Sequence, residues 1–280
     1  MRKNVEKLTK NDTDILKKIR ALKLLQADFT VAHSNYTTSI EYANKIERYL
    51  TNLMHEDVFV SYQKLKKTID YAAISEFDYE GAVTFFDIAD VLPYDIRVDN
   101  IVNIDLNSAY AMALFNHEII NNKGFQILTA LPKKRRLQTV GMFAASKTVY
   151  EYARGELIGV PDIITNDLKN VFWFAAHTID QIMSDLKFMS KDLFIYYWFD
   201  GIYLKYNKYV VGVLCEFLDS IGMPYKTTML TEFKIVENDL VYNITFKENG
   251  EPKIFNIPDK AKIRRSNALI HAALLNVKKK

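Results

Sequence analysis

Two aspartates in this chain stand where a carboxylate is costly to keep and chemically useful. Asp105 closes the apolar run Ile101-Val102-Asn103-Ile104, just before a segment with helical spacing. Asp200 follows the aromatic-rich run from Leu193 to Phe199 and precedes Gly201-Ile202-Tyr203-Leu204, a pattern that predicts a hairpin turning on Asp200-Gly201. A charge at such a place needs a partner, because an unpaired buried carboxylate shifts its pKa or recruits a cation. Two strand-end aspartates brought together make a hard-oxygen site for Mg2+. Such a site suits two-metal phosphoryl transfer, in which one ion lowers the pKa of an attacking hydroxyl and the other neutralises charge on the leaving phosphate. Each residue also has an ordinary reading: a strand-end Asp often caps a helix, and Asp-Gly is often only a turn.

Composition narrows the alternatives. Apolar residues make up 49% of the 280 positions and charged residues 25%, as in folded globular chains. The histidines His33, His55, His117, His177 and His271 lack ligand spacing, and Cys215 stands alone, so zinc and disulfide chemistry are not expected and any metal must be held by oxygen. No window reaches the roughly 18 apolar residues of a membrane span, and Met-Arg-Lys-Asn is followed by charge, so neither insertion nor export is expected. A single cysteine fits a reducing compartment, and a cytoplasmic location is expected. The net charge of +3 is unevenly spread: 13 Lys/Arg against 9 Asp/Glu in residues 1–75, 17 against 25 in 76–259, and 7 against none in 260–280. An acidic centre with basic ends suits carboxylates that hold a cation while the flanks attract a polyanion; solvated helix faces and a basic tail are the simpler reading.

The elements that must position these residues follow from periodicity. A helix is predicted from Asp12 or Thr13 through Leu25, and a second over 37–54, where Ile40, Ala43, Ile46, Tyr49, Leu50 and Leu53 repeat at helical spacing. Strands are predicted at 82–86 and 101–106, then helices through Met112, from Pro132 past Phe143, and over 170–189, with Phe172-Trp173-Phe174 as core. Further strands are expected at 233–236, 240–246 and 253–257, with Asn249-Gly250 as a turn and a last helix after Pro258 running to Lys278-Lys279-Lys280. The change from helical to β texture puts a boundary near residue 75.

Four segments together resemble the family B DNA polymerases. Asp105-Leu106-Asn107-Ser108-Ala109-Tyr110-Ala111 resembles their motif A, Asp-x-x-Ser-Leu-Tyr-Pro. Tyr196 to Ile202 is similar to motif C, Tyr-x-Asp-Thr-Asp-Ser, with Asp200 on the second aspartate. Lys134 to Gly141 resembles motif B, Lys-x-x-x-Asn-Ser-x-Tyr-Gly, with one residue fewer before the glycine. Tyr79-Glu80-Gly81-Ala82 resembles the Tyr-x-Gly-Gly/Ala template motif, and all four stand in family order. Trp198, Phe199 and Gly201 depart from motif C, Gln138 replaces the asparagine of motif B and its tyrosine is missing. Lys134 follows Asp105 by only 29 positions, which leaves no room for extended fingers.

The resemblance implies an α+β palm, an antiparallel sheet backed by helices. Its expected organisation is an N-terminal helical region (1–75), a palm with shortened fingers (76–227) and a small thumb-like β-hairpin and helix (228–280). Asp105 and Asp200 would be catalytic and, with the carbonyl of Leu106, would ligate two Mg2+ or Mn2+ ions. Ser108, Ala109 and Tyr110 would meet the incoming nucleotide, with the Tyr110 ring beneath the sugar and helix-start amides toward the triphosphate. Lys134, Arg135 and Arg136 would approach the phosphates, as four successive cations at a helix start favour an anionic partner. Gln138 would add to nucleotide binding, while Tyr79, Gly81, Ala82, Thr139 and Gly141 would contact DNA. The implied reaction adds dNMP from a dNTP to the 3′-hydroxyl of a primer-template, or to a protein hydroxyl, without proofreading. A terminal protein or other replication proteins are implied partners, and the nearest flavour is the protein-primed branch of bacteriophages, acting in the host cytoplasm. Two other classes remain: a template-independent nucleotidyltransferase or priming enzyme, and a noncatalytic DNA-binding or assembly protein on a degenerate palm.

Overall fold

The structure is a computed structural model that describes residues 4–10, 12–34, 36–50, 55–74, 83, 86–88, 97–98, 100–230, 232–238, 241–248 and 251–258. In chain order β1 (Asn4–Lys10), α1 (Asp12–Leu24), β2 (Phe29–His33), β3 (Thr37–Tyr42), β4 (Lys45–Leu50) and α2 (Glu56–Leu65) come first. Next are β5 (Phe86–Ile88), β6 (Arg97–Val98), β7 (Ile101–Leu106), α3 (Ala109–Asn116), α4 (Asn122–Thr129) and α5 (Lys133–Gly141). β8 (Lys147–Ala153), β9 (Glu156–Ile164), α6 (Lys169–Ser190), β10 (Phe194–Trp198), β11 (Gly201–Lys205) and α7 (Lys208–Ser220) follow. β12 (Tyr225–Leu230), β13 (Glu232–Asn238), β14 (Val241–Glu248) and β15 (Glu251–Pro258) complete an α+β fold.

The chain divides into two compact units, one of Met1–Val83 with Ser108–Ile179 and one of Thr84–Asn107 with Asp180–Lys280. The first is organised by a six-stranded sheet in the order β1-β4-β3-β2-β8-β9, antiparallel except where β1 runs parallel to β4. Helix α1 forms as its spacing predicts. Its Ile15 and Leu22 are buried with Phe29, Val31, Ile40 and Tyr49 of the sheet, while Leu24 and Leu25 at its end remain exposed.

The helix expected over 37–54 is instead the hairpin β3–β4, with residues 51–54 outside the described residues. Tyr42 pairs with Lys45, leaving Ala43 and Asn44 as a two-residue turn with φ of 44° and 63°. Positive φ at both central positions matches the twist of paired strands, and the threonines, Ile40 and Tyr42 suit a pleated surface better than a helix. The apolar spacing fits both periods, and the cross-strand neighbours decide between them. A second turn of this type, Arg154-Gly155, joins β8 to β9 with φ of 49° and 80°. A Cβ on Gly155 would lie 2.5 Å from the Lys23 carbonyl oxygen, so the turn also needs glycine for space.

The second unit holds a five-stranded antiparallel sheet, β12-β7-β11-β10-β5, and a four-stranded one, β15-β14-β13-β6. In the former, Ile104, Ile202 and Tyr197 lie side by side on one face and are buried. The Tyr197 hydroxyl donates to Asp180 Oδ1 at 3.1 Å, tying this face to α6. The strands expected at 233–236, 240–246 and 253–257 are β13, β14 and β15; the Asn249-Gly250 turn and the final helix with Lys278 to Lys280 lie outside the described residues.

Candidate functional site

Strand register brings the two aspartates to the same end of the five-stranded sheet. Asp105 pairs directly with Gly201, the first residue of β11, and the Leu106 amide donates to the Asp200 carbonyl at 2.7 Å. The Asn107 amide donates to the Pro224 carbonyl, also at 2.7 Å, which ties the segment after β7 to the one before β12. These two amides are therefore already bonded within the fold.

The hairpin carrying Asp200 turns one residue earlier than expected. Trp198 pairs with Gly201, so the central turn residues are Phe199 and Asp200, and Phe199 rather than glycine adopts the left-handed conformation, with φ of 51°. A bulky residue there is strained, and its ring is braced edge-on against Trp198 at 4.9 Å. Gly201 serves a different purpose. A Cβ on it would lie 3.3 Å from Asp105 Oδ1 and 3.5 Å from Asn103 Oδ1, so its lack of a side chain leaves room for these oxygens.

Asn103 is a site residue that the sequence reading missed. Its Oδ1 is buried and accepts no hydrogen bond. Two positions before Asp105 on one strand, it shares that residue's face, and period-two spacing could have singled it out. Lys226 was also missed, because β12 was not anticipated; it is exposed and stands directly opposite Asp105 in the sheet. Asp105 and Asp200 are both half-buried, and the orphaned amide oxygen of Asn103 lies on the Asp105 face of β7.

The remaining predicted residues of the described chain lie in the first unit. Ser108 is the N-cap of α3, with φ of 57°, and its hydroxyl accepts from Arg136 Nη1, so one residue each of the motif A-like and motif B-like segments meet. Ala109 and Tyr110 are buried at the start of α3, the Tyr110 ring stacked on Phe172 with centroids 5.8 Å apart. On α5 the four cations occupy the first turn, where Pro132 supplies no side-chain cap. Lys134 is exposed, whereas Arg135 is bound to Asp57 at 2.6 Å and to His55 at 3.1 Å. Gln138 is half-buried. Thr139 is fully buried and donates to the Arg135 carbonyl at 2.9 Å, so its hydroxyl is spent inside α5. The Tyr36 hydroxyl lies 3.7 Å from where a Cβ on Gly141 would stand. Tyr79, Gly81 and Ala82 lie outside the described residues.

No protein-family model matches the chain, and no curated protein matches its sequence. Among the described residues no helix is long and apolar enough to cross a membrane.

Proposed function

We propose that this chain is a minimal DNA polymerase-like nucleotidyltransferase of the family B type, with the five-stranded sheet as its palm. The observation that carries the reading is the pairing of Asp105 with Gly201, which joins the motif A-like strand to the motif C-like hairpin and sets both aspartates at one sheet end. Asp105 and Asp200, with the Leu106 carbonyl, would hold two Mg2+ or Mn2+ ions. Those ions, when bound, would acidify the primer 3′-hydroxyl, or a protein hydroxyl if priming is protein-linked, and neutralise the departing pyrophosphate.

The chain's own residues orient the substrates. Lys134 and Arg136 attract the phosphates of a dNTP, and the hydrogen bond from Arg136 to Ser108 presets that guanidinium. Arg135 contributes through Asp57 and is assigned to holding α5 against α2. Tyr110 limits room for a ribose 2′-hydroxyl, its ring held by Phe172. Tyr79, Gly81, Ala82, Gln138 and Gly141 are proposed to face DNA or the nascent pair. A terminal protein or other replication proteins would add grip on the DNA.

The test is extension of a labelled primer-template with each dNTP and Mg2+ or Mn2+. Template-directed extension lost in Asp105→Asn and Asp200→Asn supports the reading. Extension without template points to the template-independent class, and DNA binding without incorporation points to a degenerate palm. Tyr110→Val should raise rNTP incorporation; an unchanged ratio removes the sugar-gate role.

A further inference from the structure

A cation cluster separate from the aspartates surrounds a cavity in the first unit. The cavity holds about 380 Å3 and is walled by strands β3, β4 and β8, by α2 and by residues 164–167. Arg48 of β4, Lys66 just after α2 and Lys147 at the start of β8 all line it, against one acidic residue, Asp167. Although Lys147 is exposed, partial desolvation within the cavity and then the charges of Arg48 and Lys66 hold its amine below its ordinary pKa. Among the described residues none of the three cations has an ion-pair partner within 4.0 Å. Like charges gathered without compensation oppose folding, and an anion between them would reverse the sign of that interaction.

The other walls describe the rest of the ligand. Tyr36, Phe59 and Tyr62 bring aromatic surface to the cavity, and Ser39 and Thr37 bring hydroxyls. Tyr62 is fixed in place: its hydroxyl accepts from Asn166 Nδ2 at 2.8 Å, and its ring packs on Phe143 at 4.8 Å. Asn166 also donates to the Met142 carbonyl at 3.2 Å, so this wall is formed before any ligand arrives. Cations beside aromatic faces in a cavity within the usual range for small ligands match a phosphate joined to a planar base.

We propose that this cavity binds a nucleotide, free or as one unit of a single strand, with Arg48, Lys66 and Lys147 on its phosphate and Tyr36 and Phe59 against its base. The site stands without the polymerase reading, since none of its residues belongs to the motif-like segments that carry it.

Binding is measured on the full chain in EDTA, so that the aspartates hold no nucleotide through a metal. The probes are dAMP and inorganic pyrophosphate by calorimetry and a fluorescein-labelled dT12 by anisotropy. We expect dAMP or dT12 to bind, with affinity falling as salt rises, and R48Q and K147Q each to weaken binding about tenfold while D105N leaves it unchanged. Phe59→Leu should weaken dAMP and spare pyrophosphate. Binding of dAMP assigns a free nucleotide, and binding of dT12 alone assigns a strand. Thermal melting checks each fold; K147Q should melt higher than the parent without ligand and lose the rise that ligand gives the parent, and K66Q replaces any variant that does not fold. No binding of dAMP or dT12, binding of pyrophosphate alone, or affinity unchanged in the charge variants overturns the proposal.

Discussion

In the five-stranded sheet oxygen acceptors gather at one strand end: Asp105 and Asp200 with the unsatisfied amide oxygen of Asn103. In the six-stranded sheet the reverse is found, with Arg48 and Lys147 joined by Lys66 around an open cavity. The first arrangement rests on a buried face, where Ile104 and Ile202 have no exposure. The second ends in the edge strand β9, whose Leu157, Ile158, Val160, Ile163 and Ile164 are all exposed. The aspartates thus lie at the end of strands with a buried face, whereas the cations border a sheet that has both a buried centre, with Ile40 and Leu50, and an exposed edge. The small net charge of +3 conceals acceptors at one sheet end and cations around the cavity of another sheet.

The most severe way to break the contrast is to neutralise the acceptor cluster. Asp105→Asn or Asp200→Asn should lower metal-dependent primer extension by on the order of 10^3-fold with the melting temperature little changed. Extension at the parent rate would remove both aspartates from the site. Support for each sheet can be compared next by urea denaturation. Ile104→Ala should cost about 2–5 kcal/mol by leaving a cavity, whereas Leu157→Ala, at 48% exposure, should stay within about 0.5 kcal/mol. Equal costs would erase this difference in burial.

A smaller effect is expected from Glu47, one of the carboxylates of the six-stranded sheet. Burial pushes Glu47 up, but hydrogen bonds from Lys18, Tyr42 and Tyr49 outweigh it and leave the carboxyl below its ordinary value of 4.5. A depressed folded pKa contributes stability above 4.5 that is lost as pH falls through the folded value. Glu47→Gln should therefore cost about 1 kcal/mol at neutral pH and progressively less below pH 4.5. A pH-independent difference would show that the loss is packing and not charge. Smallest of all, Ala43→Gly should stabilise the β3–β4 hairpin by about 0.5 kcal/mol, because glycine accepts the φ of 44° without strain. Destabilisation would mean that the Ala43 methyl packs usefully.

Much of the framework around the candidate site was legible because its parts are local. Strand β7, the helix after it, the hairpin around Asp200 and the long α6 each announce themselves within a few residues. The turn was misread by one position because Asp-Gly is the commonest signal, while the cross-strand pair Trp198–Gly201 set the register. The expected helix at 37–54 failed for a related reason: spacing that fits two periods is decided by neighbours, here β1 and β2, which the sequence reading did not recognise as strands. Thr139 looked available beside the cations of α5, and only its burial and its bond to the Arg135 carbonyl reveal otherwise.

By itself the sequence determined the residue types, the α+β alternation and the local frames that carry Asp105 and Asp200, since backbone period and turn chemistry act over a turn or two of chain. Tertiary structure alone decided that Gly201 lies against Asp105, that Asn103 Oδ1 goes unpaired beside it, and that Arg48, Lys66 and Lys147 meet at one cavity. Those outcomes join residues distant along the chain, and they are chosen by burial and register, to which every neighbouring strand contributes.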